Sequence, residues 1–405
     1  MTSSKGKGCS RRAFLKTAGT VGVSALASQP LFQQNAVAES SQNIIVPTRM
    51  FGKTGKEVSI LSLGGMFDIP SNQIVLNLAM KFGVTYWDTA NSYGNGASED
   101  GIGKYFQSKP QDRSKIFLVS KAYTMDTEEM TTMLDTSLKR MNTDYIDLYF
   151  MHGISSTDPL TDKVRKWAEN AKKQGKIRLF GFSTHQNMQS CLMSGSKLGW
   201  IDGIMTTYNF RLMHQNDMKE ALQACIEAGI GITAMKTQGG GSVKTSSDTE
   251  IQLAGRFIQK GFTDKQAKLK AVWENPDIAS ICSQMPNSTI LMSNISAALN
   301  KTSLAAKDME LMHQYALDTC SGYCAGCAHI CEAEIQGKVP ISDIMRYLMY
   351  QETYGEKEFS ESIVSQMPKD IQQRIAAVDF SSAERQCPQK IEIGKLMRKA
   401  SDMLA

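Results

Sequence analysis

Four ionisable side chains stand at or just past the ends of short apolar runs: Asp88, Tyr93, Lys121 and His152. A carboxylate, a phenol, an ammonium and an imidazole are the groups of acid–base catalysis. A phenol ordinarily titrates near about 10, so it is a useful acid near neutrality only beside a positive charge. Taken singly, each residue has a structural explanation: Asp88 as a helix cap, Tyr93 as a core aromatic, Lys121 as surface, His152 as a satisfied histidine. Their occurrence in order at successive run ends is what points to chemistry.

The second constellation is made of thiols. Cys320-x3-Cys324-x2-Cys327-x3-Cys331 has ligand spacing, and Cys387-Pro388 supplies the ending of bacterial iron–sulfur runs. Either Cys320, Cys324, Cys327 and Cys387, with Cys331 spare, or Cys320, Cys324, Cys327 and Cys331 would hold one [4Fe–4S] cluster. Zinc on four thiolates and disulfides of an exported protein are the alternatives. Cys191, Cys225 and Cys282 lie among apolar neighbours and read as buried thiols.

The elements that must position these groups alternate from about residue 46 to 300. Eight apolar runs begin near Ile60, Val84, Ile116, Tyr145, Ile177, Gly203, Ile230 and Ile278, most of them ending in polar residues or glycine. Amphipathic stretches separate them. One opens on the capping box Asp126 to Glu129 and continues with Met130, Met133, Leu134, Leu138 and Met141 at helical spacing. Another carries Ile74, Leu78 and Phe82 and stops at Gly83. Eight strand–helix units over about 250 residues predict a (β/α)8 barrel, an α/β fold whose chemistry sits at the strand ends. A doubly wound open sheet is the rival, but no G-x-G-x-x-G follows the first strand. Residues 50–58 predict a hairpin turning at Lys53-Thr54-Gly55 and closing the barrel floor. From 301 to 405 the rhythm changes to a mainly helical, cysteine-rich domain.

Residues 1–38 read differently. Arg11-Arg12 within Ser10-Arg11-Arg12-Ala13-Phe14-Leu15-Lys16, a mildly apolar stretch to Leu31 and Ala36-Val37-Ala38 predict a cleaved twin-arginine export signal, hence a periplasmic or secreted protein. The apolar stretch is broken by Gly19, Gly22, Ser24 and Ser28, short of the ~20 residues a spanning helix needs. The chain's 45 Lys and Arg against 40 Asp and Glu give +5, and the segment holds Lys5, Lys7, Arg11, Arg12 and Lys16 with no acid. The remainder is neutral, which argues against nucleic acid or an anionic membrane as partner.

The motifs resemble the aldo-keto reductases. Tyr86-Trp87-Asp88-Thr89-Ala90-Asn91-Ser92-Tyr93-Gly94 is similar to that family's second-strand signature. Leu138-Lys139-Arg140-Met141 through Asp144-Tyr145-Ile146-Asp147-Leu148-Tyr149 to His152, and Gly175-Lys176-Ile177-Arg178 through Gly181-Phe182-Ser183, resemble its fourth and fifth units. The resemblance covers about residues 48–298. It implies that Tyr93 gives a proton to a carbonyl oxygen, that Lys121 paired with Asp88 lowers the phenol's pKa, and that His152 orients the substrate. It implies NADP, or NAD, as cofactor, with Ser183, Asn209, Lys236, Gly239, Gly240, Ser288 and Asn294 at the expected contact positions. The pattern departs at Thr184, at Met205 where a Gln is usual, and at Met235-Lys236-Thr237 where an aromatic is usual.

The tail resembles the ferredoxin-like extension of a subset of that family. There a similar cysteine run leads into a phrase like Val339-Pro340-Ile341-Ser342-Asp343-Ile344-Met345-Arg346-Tyr347-Leu348-Met349-Tyr350. Glu332 stands where proline is usual. The expected function is carbonyl reduction or alcohol oxidation on a small molecule, with a redox partner for the cluster. The alternative is an exported iron–sulfur carrier or binding protein that uses the barrel as scaffold without nicotinamide. An interaction module like the channel-associated barrel subunits is a further reading, against which the export signal argues.

Overall fold

The computed structural model describes residues 44–403, and the export signal expected at 1–38 lies outside them. Two strands, β1 (Thr48–Met50) and β2 (Glu57–Ser59), form the antiparallel hairpin. Eight more follow: β3 (Leu61–Gly64), β4 (Tyr86–Asp88), β5 (Phe117–Ala122), β6 (Ile146–Met151), β7 (Ile177–Thr184), β8 (Gly203–Thr207), β9 (Gly231–Met235) and β10 (Ile278–Gln284). They pair in parallel and in sequence order, and the sheet closes where Ile281 of β10 lies opposite Leu61 of β3. This is the (β/α)8 barrel that the eight apolar runs predict, with helices around it and a helical C-terminal region.

The hairpin fills the floor. Phe51, fully buried, reaches up among Tyr86, Phe117, Leu148 and Phe150 of the barrel interior. Gly203 and Gly231 admit it, since a Cβ on either would come within 2.8 Å and 2.4 Å of the Phe51 ring.

Two local expectations are corrected. Asp126 does cap its helix, accepting from the backbone N–H of Glu128 and Glu129, but Glu129 does not complete a capping box; its carboxylate accepts from Thr124 Oγ1 at 2.6 Å instead. The first helix, Gln73–Lys81, buries Val75, Leu76 and Ala79 and leaves Ile74 60% exposed. Its apolar residues are consecutive enough to fit two phases, and packing against the sheet selects the one without Ile74.

The C-terminal region has an apolar cluster of its own, built on Ile344, Leu348, Phe380, Leu396 and Met397. Its first helix, Ala306–Asp318, packs instead on the barrel side, sharing a second cluster with Phe210, Leu253 and Phe257. There His313 stacks on His214 with ring centroids 4.2 Å apart. Burial, then His313, pulls His214 down to about 4. The unfolded chain therefore binds a proton that the fold excludes, and this contribution is lost as pH falls from about 6.5 toward about 4. His214→Gln is expected to reduce the drop in urea midpoint between neutral and mildly acidic buffer. An unchanged drop would assign the acid sensitivity to other groups. Among the described residues no helix is long and apolar enough to cross a membrane.

Candidate active site

The mouth of the barrel gathers the four expected residues. Asp88 ends β4 and Lys121 lies within β5, and the parallel register brings them side by side: Lys121 Nζ donates to Asp88 Oδ1 at 2.6 Å and to the Thr89 carbonyl at 2.7 Å. Both side chains are buried, at 1% and 3% exposure. Tyr93 follows in a loop whose next residues, Gly94, Asn95 and Gly96, all have positive φ (57°, 54° and 98°). Gly96 has no room for a side chain, because a Cβ there would meet the Arg140 guanidinium at 2.3 Å. That turn aims the phenol ring inward. Lys121 Nζ lies 5.0 Å from its centroid, and the His152 ring meets it edge-on at 5.8 Å.

The electrostatics differ from expectation in one respect. The Lys121 ammonium donates to Asp88 and Thr89 and makes no hydrogen bond to Tyr93. Burial, then the Asp88 carboxylate, pushes the Tyr93 phenol well above its ordinary value. The phenol is thus a proton reservoir that stays full, and its ion becomes accessible only when charge develops against it. Burial, then Lys121, holds His152 well below the usual imidazole range. It is a neutral ring whose Nδ1 has no partner. Tyr123, which sequence reasoning missed, packs on it at 4.2 Å.

Most of the residues expected at the cofactor make contacts within the protein. Ser183 Oγ accepts from the Gly153 N–H at 2.9 Å, and Asn294 donates to Ser283 Oγ at 3.0 Å. Asn209 donates to the Lys236 carbonyl and to Tyr323 Oη. Lys236 Nζ donates to Tyr350 Oη at 2.7 Å. Gly239 (φ 59°) packs under Phe210, and a Cβ on Gly240 would strike Thr353 at 2.3 Å. Ser288 is exposed at the start of a helix. Tyr323, Tyr350 and Thr353 all belong to the tail. Its helix Ile341–Tyr354 lies across the mouth, also fixed by Ser242 Oγ to the Met345 carbonyl (2.8 Å) and Gln186 Nε2 to Asp343 (2.6 Å). Arg346 and Tyr350 fall in the quoted phrase 339–350, so the sequence carried them without revealing where they would dock.

The thiols are a correction. Cys324, Cys327, Cys331 and Cys387 come within electrostatic reach of one another, while Cys320 lies instead toward Arg211. Both expected ligand sets included Cys320, because spacing alone made it the head of the run; a one-turn 3-10 helix at Cys320–Gly322 sends it elsewhere. All are free thiols, so disulfides are not formed. Among the described residues no three His, Cys, Asp or Glu side chains stand where they could hold a metal ion.

The sequence profile of the Aldo/keto reductase family matches residues 61–339, more than half of the chain. The chain belongs to the aldo/keto reductase family. The uncharacterized oxidoreductase YrpG of Bacillus subtilis is 27% identical over 239 residues, covering 52% of this chain and 73% of that protein. The aldo-keto reductase yakc [NADP(+)] of Schizosaccharomyces pombe is 28% identical over 212 residues, covering 49% of this chain and 60% of that protein. Among solved structures, the thermostable aldo-keto reductase Tm1743 matches 66% of this chain and 99% of its own at 26% identity, with a TM-score of 0.56. AKR11C1 of Bacillus halodurans, in its holo form, shares the fold at 21% identity with a TM-score of 0.55, over 66% of this chain and 96% of its own. In this aldo/keto reductase the solved-structure matches extend over about two thirds of the chain.

Proposed function

We propose that the barrel mouth is a carbonyl–alcohol oxidoreductase centre in which Tyr93 moves the proton at the substrate oxygen. The observation that carries this reading is the buried Lys121–Asp88 pair set beneath the Tyr93 ring and beside a neutral His152. As a carbonyl oxygen gains negative charge, Tyr93 Oη gives up its proton. The ammonium, held in a water-poor site, then stabilises the phenolate more than it could in water. His152 can bond the same oxygen without competing for charge. The test is turnover of a panel of small aldehydes and ketones by purified protein and by Tyr93→Phe.

Family chemistry draws hydride from a nicotinamide nucleotide, and the S. pombe relative's name carries NADP(+). Here the residues expected to hold it do not fit it as they stand. The tail takes up the donors of Asn209 and Lys236 and covers Gly240. No step is derived through the nucleotide. The same observation favours the second reading, an exported binding or electron-transfer protein using the barrel without nicotinamide. Titration with NADPH, followed by tryptophan fluorescence, separates them: saturable quenching supports the reductase, and none supports the scaffold. Export to the periplasm remains a proposal supported by the Arg11-Arg12 run and the small-residue site after it.

For the tail, the thiols as placed hold no metal ion, and the iron–sulfur group the resemblance implies is proposed with Cys324, Cys327, Cys331 and Cys387, which come within electrostatic reach of one another, as its ligands in place of Cys320. Burial pushes the Cys324 thiol up to about 12, so ligation would require a strong positive centre to draw off the proton. Iron and acid-labile sulfide in anaerobically purified protein are expected to vanish in Cys387→Ser and persist in Cys320→Ser. Loss in Cys320→Ser alone would reverse the assignment.

A further inference from the structure

Between the barrel mouth and the tail helix Ile341–Tyr354 lies a partly open pocket with a cavity of ≈ 40 Å³, lined by His185, Thr207, Lys236, Ser242, Ser342 and Arg346 among others. A single water needs about 10–15 Å³, so the space suits about three waters or one carboxylate. It adjoins the catalytic groups, since Lys236 and Arg346 both act electrostatically on His152.

The charges around this space do not balance. Lys121 is matched by Asp88 (2.6 Å) and Arg346 by Asp343 (2.8 Å). Lys236 has no carboxylate partner among the described residues; its hydrogen-bond acceptor is the Tyr350 phenol. Withdrawing a cation from water without a counter-charge is unfavourable. The chain adds to that cost by placing Lys236 at a left-handed φ of 54°, a conformation unfavourable for a residue with a Cβ. The Asn209 side chain and the Gly239 N–H, both donating to its carbonyl, hold it there. His185 faces the same cavity with a buried Nδ1 that has no partner. A partly buried ammonium on a strained backbone, an orphaned imidazole nitrogen and a guanidinium with spare N–H groups converge on a space the size of a carboxylate. The Tyr350 oxygen stands where an anion's oxygen would.

We propose that this cavity receives the oxyanion head of the substrate, a small carbonyl compound bearing a carboxylate, seated on Lys236, Arg346 and His185 with its carbonyl toward Tyr93 and His152. The inference rests on the oxidoreductase reading for the carbonyl's fate but not for the anion site. Calorimetric titration of the full chain with pyruvate, its neutral methyl ester and inorganic phosphate tests it. Pyruvate is expected to bind at least about tenfold more tightly than the ester, as one lost charged hydrogen bond requires. Lys236→Met should lose about tenfold or more of the preference for pyruvate over the ester, whereas Tyr93→Phe, which meets the carbonyl that both compounds share, should keep that preference. That last comparison separates failure of the anion site from failure of the catalytic assignment. Should Lys236→Met not fold, Arg346→Lys, which keeps charge but loses the fork, is expected to weaken pyruvate binding alone. Equal affinity for pyruvate and ester, undiminished binding by these variants, or no binding of pyruvate would overturn the proposal. Phosphate binding Lys236-dependently and more tightly than pyruvate would also overturn it, assigning the pocket to a free oxyanion.

Discussion

Tyr93→Phe is expected to lower carbonyl turnover by about 10²–10⁴-fold, the usual worth of a positioned general acid, while leaving the melting temperature nearly unchanged. The two halves of that expectation have separate causes. The phenol oxygen makes no hydrogen bond to another side chain in the described structure, so its removal leaves no buried partner unsatisfied. The ring keeps its edge contact with His152 and its place near the Lys121 ammonium. What disappears is the proton. Burial and Asp88 hold the phenol neutral, so no proton is lost to solvent before substrate arrives, and His152, held neutral, is a poor substitute donor. A variant that retains turnover within about tenfold would remove Tyr93 from the mechanism, and Tyr350 beside Lys236 would then be the phenol to examine.

The barrel and the Asp88–Lys121–Tyr93–His152 grouping were legible because both follow from local rules. Each apolar run is short, bounded, and followed by the residue that the strand end presents. The parallel register then fixes neighbours: Asp88 and Lys121 meet because β4 and β5 are adjacent with Asp88 opposite Val119. The phase of helix Gln73–Lys81 was not legible, because apolar residues in succession allow two buried faces until a sheet chooses one. The role of Lys236 escaped for another reason. A strand-end lysine in a barrel suggests phosphate or cofactor, and nothing local says that a helix more than a hundred residues later will close over it. The cysteines show the same limit. Spacing groups Cys320 with Cys324, yet only the path of the chain decides which thiols turn toward Cys387.

Asp88→Ala is expected to be among the most destabilising single changes in the molecule, of order 3–5 kcal/mol by denaturant titration, because it strands a buried ammonium. The converse, Lys121→Met, should cost less and in a pH-dependent way, which makes the pair a test of physics rather than of packing. Burial raises the pKa of Asp88, opposed chiefly by Lys121. Without the ammonium only a hydrogen bond from Cys282 still opposes burial, so the folded variant binds a proton that its unfolded chain releases near the ordinary carboxylate value. A group raised in the folded state contributes stability that is present at low pH and lost as pH climbs through its folded value. The deficit of Lys121→Met relative to the parent should therefore be small in mildly acidic buffer and widen toward alkaline pH, whereas that of Asp88→Ala should not widen in this way. Widening of both alike would mean that the ion pair is wetter than its 1% and 3% exposures imply. Tyr93 would then be facing a screened charge, too weak to stabilise its phenolate.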